Sequence, residues 1–232
     1  MKDARSDRSP ERAREDYVKA IYHLSGHAPV RAADLARYLR VSRASVSKSR
    51  RVLEAAGFVR ASRGVRAGGH VDALRLTPKG LELAVNMVRR HRLVETFLHR
   101  ELKVPLERVH ADAEKIEHTI SDDIARRLAA FLGNPVTDPH GHPIPPAHSS
   151  VVAARDLSLA EARRGDRVVI TALDDRDDAS VKYLSSRGIL PGVRVTVVNV
   201  GASGVRVRSG RKNLIVATAP AHAAHCTPAP RG

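Results

Sequence analysis

The stretch Ala32–Gly57, AADLARYLRVSRASVSKSRRVLEAAG, decides the fold of the N-terminal third of the chain. Its apolar residues recur at helical spacing in two blocks, Ala32–Leu39 and Ser42–Ala56, with only Arg40-Val41 between them. Ser42 is placed as N-cap of the second block and Gly57 as its stop. Upstream, Glu15–Leu24 (EDYVKAIYHL) puts Tyr17, Ile21 and Leu24 at helical spacing. Downstream, Phe58–Ala61 and Ala73–Leu76 alternate around the Gly- and Arg-rich tip Arg63-Gly64-Val65-Arg66-Ala67-Gly68-Gly69, which predicts a β-hairpin.

Helix, helix, short turn, helix and basic hairpin is the order of a winged helix-turn-helix. The second helix of such a unit enters the DNA major groove and presents its N-terminal side chains to base edges. Here those are Ser42, Arg43, Ser45, Ser47 and Lys48, with Arg50 and Arg51 following at phosphate reach. Arg63 and Arg66 flank glycines that let the backbone approach a minor groove or a phosphate closely. Two adjacent helices with surface arginines are commonplace and need carry no function. Four such signals falling in the right order favour duplex DNA as the partner.

Thr77-Pro78 is a strong helix start, opening a long helix to about Leu102. A third strong helix is predicted over Leu106–Leu132, with an apolar face of Val109, Ile116, Ile120, Ile124 and Leu128. From Gly133 to Ala147 five prolines predict a linker or irregular arm and not a packed element. The period then turns strand-like over Arg167–Leu173, Arg194–Val200, Gly204–Arg208 and Leu214–Ala217, with a short helix near Ser180–Arg187. The fold class is therefore mainly α with a small C-terminal β-barrel. The expected domains are 1–77 for DNA binding, 78–146 helical, 147–160 linker and 161–232 barrel.

The formal net charge is +15 with a pI of about 10.9, which calls for a polyanionic partner. The charge is uneven: residues 1–80 carry 18 basic and 8 acidic groups, 81–146 carry 9 and 10, and 147–232 carry 13 and 7. Arg outnumbers Lys 32 to 8, but a genome-wide preference for Arg would spread evenly, and the middle segment is acidic despite it. No run approaches the ~18 apolar residues of a membrane-spanning helix. Met1–Glu15 carries no apolar core, so no secretory signal is expected and the location reads as cytoplasmic. The lone Cys226 excludes an intramolecular disulfide and a four-cysteine zinc site. Seven aromatic residues without a Trp disfavour base-stacking RNA modules.

The acidic middle segment holds Glu114-Lys115-Ile116-Glu117-His118, whose positions i, i+3 and i+4 share one helix face. Two carboxylates and an imidazole on one face are usually solvated. More donors of the same kind strengthen a metal reading: His91 and Glu95 at i, i+4, His110 one turn before Glu114, and Asp16 beside Glu15. With twelve histidines in the chain chance coincidences are expected, and His140, His142, His148, His222 and His225 are assigned no role. The tight His222/His225/Cys226 spacing reads as a strand closing the barrel before a Pro-rich tail.

Glu15–Tyr22, the helix-turn-helix, Arg90-His91-Arg92-Leu93-Val94-Glu95 and Val109-His110 through Glu117-His118-Thr119-Ile120-Ser121-Asp122 together resemble the diphtheria toxin repressor family. These are metal-activated bacterial transcriptional regulators, and the manganese transport regulators are one branch. The similarity covers about Glu15 to Pro146, ending in Gly141-His142-Pro143-Ile144-Pro145, and extends more loosely through a barrel similar to the family's SH3-like domain. It implies a primary metal site of Asp16, Glu114, Glu117 and His118 and an ancillary site of His91, Glu95 and His110. Iron-type members carry Met where this chain has Asp16 and Cys where it has Glu114, so the hard oxygen donors favour Mn²⁺, with Fe²⁺ the alternative. The manganese branch commonly has a second acid where this chain has Lys19, which favours two separated sites over a closely paired centre. An ungapped alignment puts Arg176 and Ala179 at the barrel's donor positions. One of Asp175, Asp177 and Asp178 substitutes if the register shifts slightly; otherwise they form a solvated acidic loop.

The resemblance implies a homodimeric repressor on a pseudo-palindromic operator, controlling metal-homeostasis genes such as a manganese transporter. Metal at the primary site would tie the first helix of the DNA-binding domain to the dimerisation helices and fix the spacing of two recognition helices. Rival readings are an iron-responsive regulator of the same family, a winged-helix regulator sensing a small organic ligand, a metal-dependent hydrolase with Glu117 as base, and an architectural DNA binder. The hydrolase lacks a phosphate-binding loop and a nearby nucleophile, so no enzyme activity is expected.

Overall fold

In this computed structural model residues 9–25, 28–66, 69–147 and 156–230 are described, and the side chains of residues 63–72 stand outside that description. The chain divides into two compact units: Met1–Arg90 with His118–Asp122 and Pro145–Ala154, and His91–Glu117 with Asp123–Ile144 and Arg155–Gly232.

The first unit begins with α1 (Pro10–Ser25), which buries Tyr17, Val18, Ile21 and Tyr22. A short strand β1 (Val30–Arg31) leads into α2 (Ala32–Leu39). Arg40 ends α2 in the left-handed region at φ 54°, and the Val41 N–H donates to the Ala36 carbonyl at 3.0 Å. That closure frees Ser42 to start α3 (Arg43–Ala55), its hydroxyl accepting from the Ser45 N–H at 3.0 Å. Gly57, at φ 74°, closes α3: its N–H donates to Glu54 O and that of Phe58 to Leu53 O. Leu35, Val46 and Leu53 are at most 2% exposed. Full burial of each such side chain stabilises the packing by about 1.5–3 kcal/mol.

Strands β2 (Val59–Arg66) and β3 (Gly69–Leu76) form the hairpin, and β1 adds to β3 to give the order β1-β3-β2. Pairing runs from Val59↔Leu76 to Arg66↔Gly69, so the ladder extends through most of the expected tip. Ala67 and Gly68 lie outside the described residues. Helix α4 (Pro78–Arg100) starts where Thr77 accepts the Gly80 N–H at 3.1 Å and donates its own hydroxyl proton to the Gly57 carbonyl at 2.7 Å. One residue therefore caps α4 and ties it to the end of α3.

The expected continuous helix over Leu106–Leu132 is broken. It comprises α5 (Leu106–Ile116), a 3₁₀ turn at Glu117–Thr119 and α6 (Asp122–Phe131). β-branched Thr119 and Ile120 and then Ser121 favour leaving the α-helix, and Asp122-Asp123 suit a new N-terminus. The expected apolar face changes with it. Val109 is buried, but α6 buries Ala125 and Ala129 and leaves Ile124 48% and Phe131 68% exposed.

The proline-rich segment after α6 is also packed, contrary to expectation. Asp138, His140 and Ile144 are buried, Thr137 bridges to Pro143, and the Leu173 N–H donates to the His140 carbonyl at 2.9 Å. Gly141, at φ 92°, permits this approach, since a Cβ there would sit 2.1 Å from the Thr171 carbonyl oxygen.

The β domain contains β4 (Leu157–Ser158), β5 (Arg167–Leu173), α7 (Asp178–Ser186), β6 (Arg194–Gly201), β7 (Gly204–Ser209), β8 (Lys212–Val216), α8 (Thr218–Ala223) and β9 (Ala224–Pro228). All strand pairs are antiparallel, in the order β4-β9-β5-β6-β7-β8. Val168, Ile170, Val195, Val197, Val205, Val207 and Val216 face the core. β4 and α8 were not expected as elements; β9 carries buried Cys226 into the sheet where that segment was expected to close the barrel. Much of the 147–160 linker, and His148 with it, lies outside the described residues.

Gly80 gives a test of this packing. Alanine inside a helix ordinarily stabilises by about 1 kcal/mol relative to glycine. Here the added Cβ would lie 1.9 Å from the Phe58 carbonyl oxygen. Gly80→Ala is therefore expected to lower unfolding stability by about 1–3 kcal/mol in urea titrations; a more stable variant would contradict the close approach.

Candidate metal centre and DNA-reading face

Of the residues expected to read DNA, the N-cap Ser42 and Arg43, Ser45, Ser47, Lys48 and Arg51 of α3 are all exposed. The Ser42 hydroxyl is engaged in capping and lies 2.9 Å from Ser45 Oγ. Arg50 is half-buried and pairs with Glu54 at 2.9 Å, so its first role is within the helix. Arg63 and Arg66 occupy β2 opposite Asp72 and Gly69, and their side chains are outside the described set.

The donors implied for the primary site are distributed over both units. Asp16 and His118 belong to the first, where His118 Nε2 lies 3.1 Å from Asp16 Oδ1. His118 Nδ1 lies 2.7 Å from Glu15 Oε2, a carboxylate the sequence showed only as a neighbour of Asp16. Such a bond to Nδ1 directs the other ring nitrogen at the position where a cation would sit. Glu114 and Glu117 belong to the second unit. Because α5 ends at Ile116, Glu114, Glu117 and His118 do not share an α-helical face as the unbroken pattern implied. Glu114 stays 55% exposed and reaches toward His110 Nε2 at 3.6 Å, whereas Glu117 is buried and bonds His91 Nδ1.

The ancillary donors of the second unit converge. His91 and Glu95 sit one turn apart on α4, with His91 Nε2 2.9 Å from Glu95 Oε1. His110 on α5 places Nδ1 3.0 Å from His91 Nε2 and 3.2 Å from Glu95 Oε1. Asp175, in the loop between β5 and α7, approaches His110 Nδ1 at 3.6 Å and His142 Nδ1 at 3.4 Å. Asp177, by contrast, caps α7 by accepting the Ser180 N–H, and Asp178 is the first residue of that helix. Asp175 is thus the acidic residue of this run that turns inward.

His140 and His142, to which sequence spacing assigns no role, belong to the same cluster. His140 is fully buried and its Nε2 donates to the Leu106 carbonyl at 3.0 Å, leaving Nδ1 directed at Glu95 Oε1, 3.8 Å away. His142 Nδ1 lies 3.4 Å from Asp138 Oδ2. The signal was present as Asp138-Pro139-His140-Gly141-His142. It was hidden because five prolines suggested an unpacked arm.

Burial tends to raise Glu95, but the charge of His91 and the closeness of the His110 and His140 rings hold it well below the usual carboxylate range. Asp175 is likewise lowered, with His142 and His110 overcoming burial. Burial tends to lower the histidines, yet bonds to Glu114 and Glu95 push His110 up to about 10. Asp175 and Asp138 raise His142 to about 9. Among the described residues, four buried ligand-type atoms, Glu95 Oε2, Asp138 Oδ2, His140 Nδ1 and His142 Nδ1, make no hydrogen bond, although Asp138 Oδ2 lies 3.5 Å from the Arg92 guanidinium. Oxygen and imidazole lone pairs converging without partners fit a divalent cation that takes carboxylate and imidazole ligands.

Histidines raised above their unfolded value near 6.5 contribute stability that is complete below that pH. The contribution is lost as pH rises through the folded values, about 9 for His142 and about 10 for His110. With chelator present, the urea midpoint is expected to fall between pH 6.5 and 10, and Asp175→Asn to shrink that fall. A flat profile, or an unchanged one in Asp175→Asn, would contradict the pairing.

Comparison with known proteins matches three regions of the chain. Residues 11–64 match the N-terminal DNA binding domain of iron dependent repressors, 77–146 their metal binding and dimerisation domain, and 157–224 the FeoA domain. The iron-dependent repressor IdeR of Mycobacterium tuberculosis is 35% identical over 224 residues, covering 90% of this chain and 94% of its own. The diphtheria toxin repressor of Corynebacterium efficiens is 32% identical over 200 residues, covering 80% and 82%. Among solved structures, a manganese-dependent transcriptional repressor in complex with manganese superposes with a TM-score of 0.81 at 33% identity, covering 93% of this chain and 99% of its own. The manganese regulator SloR gives 0.72 at 27% identity, covering 93% and 98%. With relatives this similar over nearly the whole length and with matches to the family's DNA-binding domain and its metal-binding and dimerisation domain, the chain belongs to the iron-dependent repressor/diphtheria toxin repressor family and is one of its metal-dependent transcriptional repressors, not an enzyme.

Proposed function

We propose that this repressor responds to Mn²⁺, acts in the cytoplasm and silences metal-homeostasis genes such as a manganese importer from a pseudo-palindromic operator. The observation that carries the metal assignment is the donor set. Asp16, Glu114, Glu117 and His118, with His91, Glu95 and His110, offer only oxygen and imidazole nitrogen, and the inward Asp175 and His140 do the same. A set without thiolate or thioether suits Mn²⁺. The relatives named as iron-dependent repressors favour Fe²⁺ as the second reading.

In the second unit, His91, Glu95, His110 and Asp175 would hold a cation, with ligand atoms all within 4.8 Å of one another. When bound, the cation supplies positive charge that replaces the protons on those imidazoles. Leu106 O fixes the tautomer of His140, and Glu117 orients His91 from its far nitrogen. In the first unit Glu15 orients His118 beside Asp16. The two donor groups adjoin in sequence at the Glu117-His118 peptide bond, so ordering one constrains the backbone of the other. Metal affinity and DNA affinity are then coupled reciprocally.

The division of labour follows 1–77 for DNA, 78–146 for metal and dimerisation, 147–160 as linker and 161–232 as the SH3-like domain. No helix of the described residues is long and apolar enough to cross a membrane. Exposed Ile124 and Phe131 supply apolar surface of the kind a dimer buries.

Gel shifts on promoter DNA of a manganese importer with Mn²⁺, Fe²⁺, Zn²⁺ or chelator test the reading. Mn²⁺ is expected to induce binding and chelator to abolish it. Glu95→Ala should raise the Mn²⁺ requirement about 10–100-fold. Equal shifts in every lane would reject a metal switch, and a response to Fe²⁺ alone would select the iron reading. Phe131→Glu should shift the sedimentation profile toward monomer; an unchanged profile would place the dimer surface elsewhere.

A further inference from the structure

The basic excess of the C-terminal segment is not used by the metal centre or by the DNA-reading helix. After Asp178 the chain contains no further Asp or Glu, while Lys182, Arg187, Arg194, Arg206, Arg208, Arg211 and Lys212 follow. The sheet arranges part of this charge on one face. Arg167 of β5 is registered with Thr196 of β6, Thr196 with Arg208 of β7, and Arg208 with Asn213 of β8. Directly paired residues of an antiparallel sheet project to the same side, and residues two apart on one strand share that side. Arg194 and Arg206 therefore join the row, while the alternate residues, Val168, Val195, Val205 and Val207, point into the core.

Arg167, Arg194, Arg206 and Arg208 are exposed and make no ion pair among the described residues. A shallow depression of about 190 Å³ gathers Arg167, Arg194, Thr196 and Arg208 beside Pro230. An acid-free arginine lattice around a hydroxyl is suited to phosphate oxygens, which guanidinium groups bind in a planar fork. Its spacing of about 7 Å along a strand and about 5 Å per strand step suits a repeating polyanion and not a single small anion. Because the protein is a DNA-binding repressor, duplex DNA is the polyanion it meets when active.

We propose that the outer face of β5–β8, centred on Arg167, Arg194, Arg206 and Arg208, is a second DNA contact that grips the phosphate backbone without reading sequence. It adds affinity to that of α3 and sets much of the protein's general attraction to duplex.

The test uses the full chain with Mn²⁺ and a random-sequence duplex of about four helical turns, followed by fluorescence anisotropy over a KCl series. The variant R167Q/R194Q/R208Q is compared with R100Q/R163Q/R164Q, which removes the same charge from exposed arginines elsewhere. Circular dichroism checks that both stay folded. The first variant is expected to lose about tenfold or more in affinity and to make the log–log salt slope shallower by about 2–3, at about 0.9 per lost phosphate contact. The control is expected to keep most of both. Equal losses in the two variants would show a general charge effect and overturn the proposal, as would an unchanged slope in the first. Normal duplex binding with lost binding to inorganic phosphate or to phosphatidylglycerol vesicles would overturn it in favour of another anion. Metal-dependent operator recognition is measured separately, so its failure and the failure of this contact give different results.

Discussion

A buried carboxylate among imidazoles is the constraint on which the centre depends. Glu95 is fully buried on α4, where ionisation would be costly if it stood alone. His91 one turn before it, His110 from α5 and His140 from the proline-rich segment surround it and hold its proton off. Each of these partners comes from a different stretch of chain, so one side chain dictates how α4, α5 and the Asp138–His142 segment pack. Asp175 extends the same electrostatics into the β domain by facing His110 and His142. The unit is built around charge pairs that invite a divalent cation, and removing one member leaves its partners buried and uncompensated.

The DNA-reading end obeys a different economy. Its geometry is set by local backbone rules: a left-handed Arg40, a serine cap, a left-handed Gly57 and a threonine shared between two helices. None of these needs a ligand. Helix α3, proposed to meet the base edges, is therefore held by the fold itself, and it is not the part a metal must build. The charge pattern agrees, with the excess on residues 1–80 and the near-neutral segment where donors collect. The arginine face of the β domain adds a third use of charge, repeated along strands instead of concentrated in a cluster.

Local signals in the chain were legible where structure follows from nearest neighbours. Ser42, Gly57 and Thr77-Pro78 marked helix ends correctly because capping acts within three or four residues. The Leu106–Leu132 helix was misread because the i, i+3, i+4 pattern persists across Glu117–Thr119, although the backbone tightens there to 3₁₀. Ile124 looked like core for the same reason, yet helix periodicity cannot tell a face that meets its own chain from one that meets a second copy. Spacing in the sequence marks His91, Glu95 and His110 as candidate donors, and the fold brings their ligand atoms together. Asp138, His140 and His142 were missed because their role depends on Gly141 letting the segment close on β5, a contact that no local pattern encodes. Asp175 could be narrowed to three candidates but not chosen, since Asp177 differs from it only in capping α7.

The most direct test is anomalous scattering at the manganese edge from crystals grown with Mn²⁺. A peak in bonding contact with Glu95, His110 and Asp175 is the predicted result. Ordered, well-occupied manganese found only on exposed carboxylates such as Asp123, with Glu95 still bonded to its histidines alone, would contradict the account.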